Sequence, residues 1–510
     1  MTPEEMTYLA VLLFSIPVGF AFNGRGPRTR QWGGAAIGVV LTLITCGPHA
    51  LHSLVTSLVT WALVRLLPRR CGGAALAWTF GYLLFFRTLW VWGWPQPPPY
   101  ANALQLLLTL KMVSLASDVQ ERWEAEPAGV TSSELDELMG SVPPRPSLGE
   151  TLCYSYCYLG LLTGPFYRMG THRDWVLGSA PPGSWRLVLR RLRWVPLWGL
   201  TGELVGRLFP GGLRDPRLWG WGFPRRLFAM GPAFLALRSR FYVGWGCAEG
   251  ACMAAGFGGN PPESRPAPGC GATRPCPRHK GPPPPAELWD FAAIRTCSPR
   301  DTERARGVGA GLRGWNRTVQ WWLVRYVHAR SRGYSPALRN AWTMLFSAFW
   351  HGLHPGIYLS FLSVPLWLAA EGALGRLLGG LPKVRGALGR VPPALFAMRV
   401  FEYLAVGFIL QDLGATLRYW GSIYFCLHLL PLLVLGAEAA WGGRRPGSEG
   451  GGPGRKGGDP RSEGGDPESE GGDPESEGGD VGCKGGDVGC RWRGPKSEGE
   501  DPKSEGGRGM

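Results

Sequence analysis

The chain has 510 residues, of which 45% are hydrophobic and only 18% are charged, and it contains 24 Trp and 21 Phe. This apolar, aromatic composition, with a formal net charge of +16, is typical of a membrane protein diluted by a polar segment. The 12 cysteines match neither a paired zinc site nor a disulfide framework, so neither class is predicted.

Apolar segments separated by short basic or Gly/Pro-rich loops fill residues 1–442. A helix needs roughly 20 apolar residues to cross a bilayer. The candidate segments lie near 7–22, 33–47, 50–67, 75–93, 101–117, 151–166, 194–209, 227–256, 337–370 (long enough for two), 394–412 and 417–441. We therefore predict an all-α protein, a multi-pass transmembrane helical bundle of about eleven membrane segments, some of them broken or re-entrant.

The stretch GWNRTVQWWLVRY at 314–326 embeds a few polar residues in an aromatic run. Trp315, Trp322 and Tyr326 recur at helical spacing, which is typical of an interfacial amphipathic helix with an aromatic belt. Asn316 also begins an N-x-S/T glycosylation pattern. The flanking tryptophans and the nearby membrane face make it a poor glycan acceptor.

Two histidines interrupt the apolar run at 337–370, in the sequence SAFWHGLHPG at 347–356. An ionisable ring at bilayer depth costs a few kcal/mol unless it faces protein or a wet cavity, so it marks a candidate functional site. His354 precedes Pro355, and a residue before proline is disfavoured in helical conformation. We predict a helix break here, and a broken helix at membrane depth lines a cavity or is buried in protein.

The residues alone leave several roles open for His351. A hydrogen-bonded core histidine is as plausible as a catalytic one. Ser347 lies one turn earlier on the same helical face, which permits a Ser-His nucleophile, but no acidic residue is at hand to orient the ring. His351 and His354 could bind a metal together, yet no carboxylate in the same run completes a site, so no metal is predicted.

The two motifs together resemble the signature of the membrane-bound O-acyltransferase family. WNRTVQWW carries Asn316, and SAFWHGLHPG carries His351 35 positions later. Other stretches, among them LTLITCGPHALHSLVT and TLRYWGSIYFCLH, are similar to the lysophosphatidylinositol acyltransferase branch of the family. The resemblance covers most of residues 1–442. It implies that His351 is the catalytic histidine, that Asn316 is its partner, and that the bundle encloses a catalytic tunnel.

The resemblance further implies an acyl-CoA-dependent enzyme of the endoplasmic reticulum membrane. Such an enzyme transfers a polyunsaturated acyl chain, arachidonoyl, to the sn-2 hydroxyl of lysophosphatidylinositol. Acyl-CoA is then a co-substrate, no cofactor is expected, and the partners are membrane lipids and not nucleic acid. The alternatives are another lysophospholipid headgroup or a protein acceptor. A multi-pass transporter is the alternative from a different class, but the chain shows no internal symmetry that would favour it.

Residues 443–510 contain almost no apolar side chain and repeat the units GGDPRSE, GGDPESE, GGDPESE, GGDVGCK and GGDVGCR. Without apolar a and d positions there is no coiled-coil seam, so we predict a disordered Gly/Pro/Glu-rich tail. The tail holds 11 Lys and Arg residues and 15 Asp and Glu residues. The acyltransferase domain predicted over 1–442 therefore holds 43 basic and 23 acidic residues, a net charge of +20. Basic loops such as 212–226 would attract CoA phosphates and an anionic headgroup.

Overall fold

A computed structural model describes residues 3–125, 142–177, 181, 183–273, 288–379 and 393–442. These residues are predominantly helical, and the extended pairings among them are two isolated bridges, Asn260 with Asp290 and Ala267 with Gly271. The predicted all-α class is confirmed. The predicted tail at 443–510 lies outside the described residues, so the boundary at 442/443 stays a prediction.

The described part of the chain contains eighteen α-helices, α1 to α18. In chain order they are Pro3–Ala21, Gly34–Cys46, Ala50–Leu66, Cys71–Arg87, Pro99–Ala125, Leu148–Ser155, Met169–Val176, Trp185–Leu192, Val195–Leu208, Phe223–Ala254, Pro299–Glu303, Val308–Gly314, Arg317–Leu323, Pro336–His351, Pro355–Gly379, Pro393–Leu410, Leu413–Ser422 and Cys426–Gly442. The described residues up to Gly436 belong to one compact unit, and residues 437–442, at the end of α18, belong to a second.

Three helical runs among the described residues are long and apolar enough to cross a membrane: Thr29–Leu66, Pro355–Leu378 and Pro393–Leu410. A fourth candidate is the pair α17 and α18, which is bent by 71°. Most other predicted segments also form helices, but these are shorter or more polar. Length and composition therefore support three or four complete crossings in the described part of the chain, against about eleven predicted segments.

One predicted segment, at 151–166, has a different form from the predicted helix. It is helical only as far as Ser155, and the residues that follow are mostly buried but irregular. Gly160 and Gly164 have φ angles of 70° and 85°, which glycine adopts at no steric cost. Irregular backbone at membrane depth is tolerated where it is buried in protein.

The last predicted segment is likewise two helices, α17 and α18. Between them Tyr424 and Phe425 adopt left-handed backbone conformations, with φ of 56° and 49°, and such residues interrupt a right-handed helix. His428 then bonds to the hydroxyls of Ser363 at 2.9 Å and Tyr403 at 2.5 Å. The start of α18 is thereby tied to α15 and α16.

The predicted break beside the two histidines is confirmed. The side chain of Ser335 caps the start of α14, and Pro336 occupies its first turn. The helix ends at His351, Gly352 continues in an extended conformation, and Pro355 begins α15. Proline lacks an N–H donor and has a fixed φ, so it suits the first position of a new helix.

The long helix α10 packs against α1, α8, α9 and α16, while α5 packs against α3 and α4. Helix α15 contacts both α14 and α16. Helices α15 and α16 cross so closely that a Cβ atom on Gly356 would lie 2.5 Å from the carbonyl oxygen of Gly407. The absence of side chains at these two glycines brings the flanking residues of both helices towards the end of α14.

Candidate active site

A cavity of about 750 Å³ lies within the first unit, between residues of α1, α5, α9, α10, α14, α15 and α16. Its lining is mostly aliphatic and aromatic. A smaller number of polar side chains reach it, including Asn316, Gln320, Ser347 and His351. Ligand sites have this character, because apolar walls provide affinity and a few placed polar groups orient the ligand.

His351 reaches the cavity from the last position of α14. Phe361 of α15 stacks on the imidazole with a centroid separation of 5.0 Å, and Phe408 of α16 meets it edge-on at 5.5 Å. Within the described part of the chain, no group hydrogen-bonds to the ring nitrogens. Aromatic contacts therefore orient the ring, and its nitrogens remain available for proton transfer.

Asn316 precedes α13 in a left-handed conformation, with φ 43° and ψ 51°. Asparagine tolerates this region better than most residues do. Neighbouring backbone groups hold it there, because Arg317 N–H donates to the Thr296 carbonyl at 2.6 Å and Gln320 N–H donates to the Asn316 carbonyl at 2.9 Å. Asn316 lines the cavity, and its side-chain amide makes no hydrogen bond to any described residue.

The structure thus brings Asn316 and His351 to one cavity, although 35 positions separate them in the chain. His354 is exposed and does not line that cavity. The described residues contain no group of three or more His, Cys, Asp or Glu side chains that could hold a metal ion. The two histidines of the motif occupy separate environments, which disfavours a shared metal.

Ser347 is buried and also lines the cavity, one helical turn before His351. Its hydroxyl is not hydrogen-bonded to the His351 ring, and none of the described carboxylates bonds to that ring either. A Ser-His nucleophile needs both contacts, with a third group to orient the base. The geometry favours direct attack by a substrate hydroxyl over a seryl intermediate.

The prediction of an interfacial aromatic belt is wrong. Trp322 and Tyr326 are buried in the bundle. The indole N–H of Trp322 donates to the Leu110 carbonyl at 3.1 Å, and the Tyr326 hydroxyl donates to the Asp118 carboxylate at 3.2 Å. Trp315 lines the cavity instead. Burial is favourable because the polar ends of the two buried rings find partners on α5.

The glycosylation pattern lies inside the folded protein. Thr318 is fully buried, and its hydroxyl accepts a hydrogen bond from Phe166 N–H at 3.3 Å. Asn316 and Thr318 both line the cavity. The position of Asn316 on the cavity wall disfavours a glycan at this residue.

The basic loop at 212–226 offers less free charge than its sequence indicates. Arg217 forms an ion pair with Asp215 at 2.8 Å, and Arg214 donates to the Leu410 carbonyl at 3.0 Å. The ion pair thus compensates the charge of one of the loop's four arginines. A neutral carbonyl leaves the charge of Arg214 in place, so attraction of an anionic substrate by this loop rests on Arg214, Arg225 and Arg226.

Phe361 and Phe408 are site residues that the sequence patterns did not reveal. A phenylalanine in an apolar helix is ordinary, so neither residue carries a signal of its own. The nearest clue is that Phe361 follows the predicted break at Pro355 by fewer than two helical turns.

Comparison with known proteins identifies the family. The sequence model of the membrane-bound O-acyltransferase family matches residues 77–406, a range that contains both Asn316 and His351. The chain belongs to the membrane-bound O-acyltransferase family. This membership favours an enzyme over the transporter alternative, and it agrees with a multi-pass membrane protein.

Three relatives of this acyltransferase share the name membrane-bound acylglycerophosphatidylinositol O-acyltransferase. The Homo sapiens protein is 49% identical over 452 residues, covering 88% of this chain and 96% of its own length. The Danio rerio protein is 39% identical over 457 residues, covering 87% and 96%. The Drosophila melanogaster protein is 27% identical over 452 residues, covering 83% and 90%.

Proposed function

We propose that this membrane-bound O-acyltransferase transfers an acyl chain from acyl-CoA to the free sn-2 hydroxyl of lysophosphatidylinositol, with arachidonoyl as the preferred chain. His351 acts as the general base and Asn316 as its partner in the cavity. The observation that carries this proposal is the convergence of the two side chains on one largely apolar cavity, each without a hydrogen-bonding partner among the described residues.

The reaction needs one base and no covalent enzyme intermediate. His351 takes the proton of the acceptor hydroxyl while its oxygen attacks the thioester carbonyl. The resulting tetrahedral oxyanion collapses and the carbon–sulfur bond breaks. The departing CoA thiolate then takes from the imidazolium the proton that came from the acceptor hydroxyl. Asn316 is positioned either to donate its amide N–H to the oxyanion or to orient the acyl donor.

The substrate assignment has two supports. The names of the relatives specify an acylglycerophosphatidylinositol as the molecule on which those proteins act. The apolar cavity suits a long acyl chain. The arachidonoyl preference rests on the resemblance of the sequence to the lysophosphatidylinositol acyltransferase branch.

The substrate assignment is tested with membranes that contain the protein, a panel of lysophospholipids and a panel of acyl-CoAs. We expect the highest rate with lysophosphatidylinositol and arachidonoyl-CoA, and loss of that activity in the His351→Ala variant. A faster reaction with another lysophospholipid would show that lysophosphatidylinositol is not the preferred acceptor. Equal rates with saturated acyl-CoAs would remove the arachidonoyl preference.

The proposed cellular site is the endoplasmic reticulum membrane, with residues 1–442 as the acyltransferase domain and 443–510 as a disordered tail. The repeat composition of the tail, which lacks an apolar face, supports this division. Truncation after Gly442 should leave the protein in endoplasmic reticulum membranes with a rate within about tenfold of the full chain, or 1.4 kcal/mol of transition-state stabilisation. A larger loss would assign the tail a role in activity.

A further inference from the structure

A single arginine holds the end of the helix that carries His351. Arg87 is the last residue of α4. Its guanidinium donates from Nη1 to the Phe349 carbonyl and from Nη2 to the Trp350 carbonyl, both at 2.6 Å. The Nε–H of the same group donates to the Asn102 side-chain oxygen at 3.2 Å.

These bonds satisfy groups that the helix itself cannot. The last four carbonyls of an α-helix lack intrahelical donors and carry a partial negative charge. In α14 the Ala348 carbonyl accepts from Gly352 N–H at 3.0 Å, and Arg87 satisfies the next two. The cation thus caps the helix immediately before its final residue, His351.

The charge of Arg87 has no acidic counterpart in the described part of the chain. Its side chain is half-buried, and its three bonds all go to neutral oxygens. Taking an ionised group partly out of water without an opposite charge is costly, and hydrogen bonds to its donors offset that cost. A neutral side chain would avoid that cost, but it would leave the end of α14 without its cap.

We infer that Arg87 is a positioning residue for acyl transfer, which acts by fixing the end of α14 and with it the reacting face of the His351 ring. This inference rests on the proposed function of His351. Arg87 does not line the cavity, so it acts through the helix and not on the substrate. Asn102, in the first turns of α5, orients the guanidinium in turn.

A second bond supports the same helix end without a charge. The indole N–H of Trp350 donates to the Leu106 carbonyl on α5 at 3.1 Å. Helix α14 is therefore attached to α4 through Arg87 and to α5 through Trp350. Loss of the guanidinium should loosen the end of α14 without detaching it, and a displacement of about 1 Å at a reacting group can reduce a rate by about 100-fold.

The test compares Arg87→Met and Arg87→Lys with Arg65→Met, which removes an exposed arginine near the end of α3. Purified proteins in detergent are assayed for kcat and for KM of the acyl-CoA and lysophosphatidylinositol substrates, and their thermal unfolding is recorded. We expect Arg87→Met to lower kcat by about 10- to 100-fold with both KM values within about twofold of wild type. Arg87→Lys should recover part of kcat, and Arg65→Met should behave as wild type.

Several outcomes would overturn the inference. Full kcat in Arg87→Met would show that the cap is not needed. A loss of rate that matches the loss of folded protein, with normal specific activity of the remainder, would assign Arg87 to folding alone. A raised KM with unchanged kcat would assign it to substrate binding. Wild type and His351→Ala are measured in the same assay, so an inactive wild type would instead count against the proposed function.

Discussion

The two proposed catalytic side chains reach one cavity by opposite means. The Asn316 region depends on its own backbone, which takes a left-handed conformation and bonds to the carbonyl of Thr296 through the following N–H. The His351 region is an ordinary helix end, whose ring is held by phenylalanines and whose carbonyls are held by an arginine from other helices.

The difference determines which changes each region can tolerate. At Asn316 the amide is lost or displaced by any change that relaxes the left-handed backbone, even one that is chemically mild. At His351 the backbone is regular, so the ring is displaced only by changes in the partners around it. The following variants separate these two kinds of support.

The largest effect is expected at His351. Replacement of His351 by Ala removes the base, and general-base catalysis is typically worth about 10² to 10⁴ in rate. His354→Ala is the matched control, because His354 is exposed and lies outside the cavity. It should retain a rate within about tenfold of wild type. Equal, severe losses in both variants, relieved by added metal ions, would favour the metal pair instead.

The next effect concerns the Asn316 amide. Asn316→Gly preserves the left-handed backbone, since glycine adopts it freely, and removes only the amide. Asn316→Ala removes the amide and also adds roughly 1–2 kcal/mol of backbone strain. Asn316→Gln keeps an amide but moves it by about 1 Å, which can cost about 100-fold in rate.

We expect all three Asn316 variants to lose activity, with the alanine and glutamine variants losing thermal stability as well, because neither residue favours the left-handed backbone. The measurements are initial rates and unfolding temperatures of the purified proteins. An active Asn316→Gly variant would show that the backbone conformation matters and the amide does not. A gel shift of the wild-type protein after glycosidase treatment, lost in each variant, would contradict the buried position.

Some features of the site can be predicted from the sequence, and others are seen only in the structure. The break at Pro355 could be predicted because proline acts on its immediate neighbour. Asn316 and His351 were recognisable because their motifs are local. The burial of Trp322 was not predictable from spacing, since an aromatic helical face looks the same at a membrane interface and in a core.

Other features of the site cannot be predicted from the sequence because they depend on long-range contacts. Arg87 and Phe408 lie far from His351 in the chain, and neither stands in a motif. An arginine that ends an apolar helix is ordinary under topological rules, so its bonds to α14 could only be seen in three dimensions. The irregular backbone after Ser155 cannot be predicted from the sequence, because apolar composition does not distinguish a helix from other buried backbone.

A smaller effect is expected from the hydroxyl that supports the Asn316 region. Thr318→Val keeps the shape of the side chain but removes the acceptor of Phe166 N–H. A buried N–H left without a partner costs about 1–3 kcal/mol. Thr318→Ser keeps the hydroxyl and is the control. Thr318→Ser loses a buried methyl group, which costs about 0.8 kcal/mol, so both variants are compared with wild type. Thr318→Val should unfold at a lower temperature than wild type and than Thr318→Ser, and a Thr318→Val variant as stable as wild type would show that the bond to Phe166 contributes little.

The smallest effect is expected at Ser347, where a null result is informative. Ser347 lies beside His351 on the cavity wall but makes no hydrogen bond to it. If the acceptor hydroxyl attacks the thioester directly, Ser347→Ala should keep the rate within about threefold, under 1 kcal/mol of transition-state stabilisation. Wild-type protein incubated with radiolabelled acyl-CoA and then denatured should carry no acyl group at Ser347. Loss of activity in Ser347→Ala as large as in His351→Ala, together with trapped acyl-enzyme, would instead establish a serine nucleophile and would make His351 its activating base.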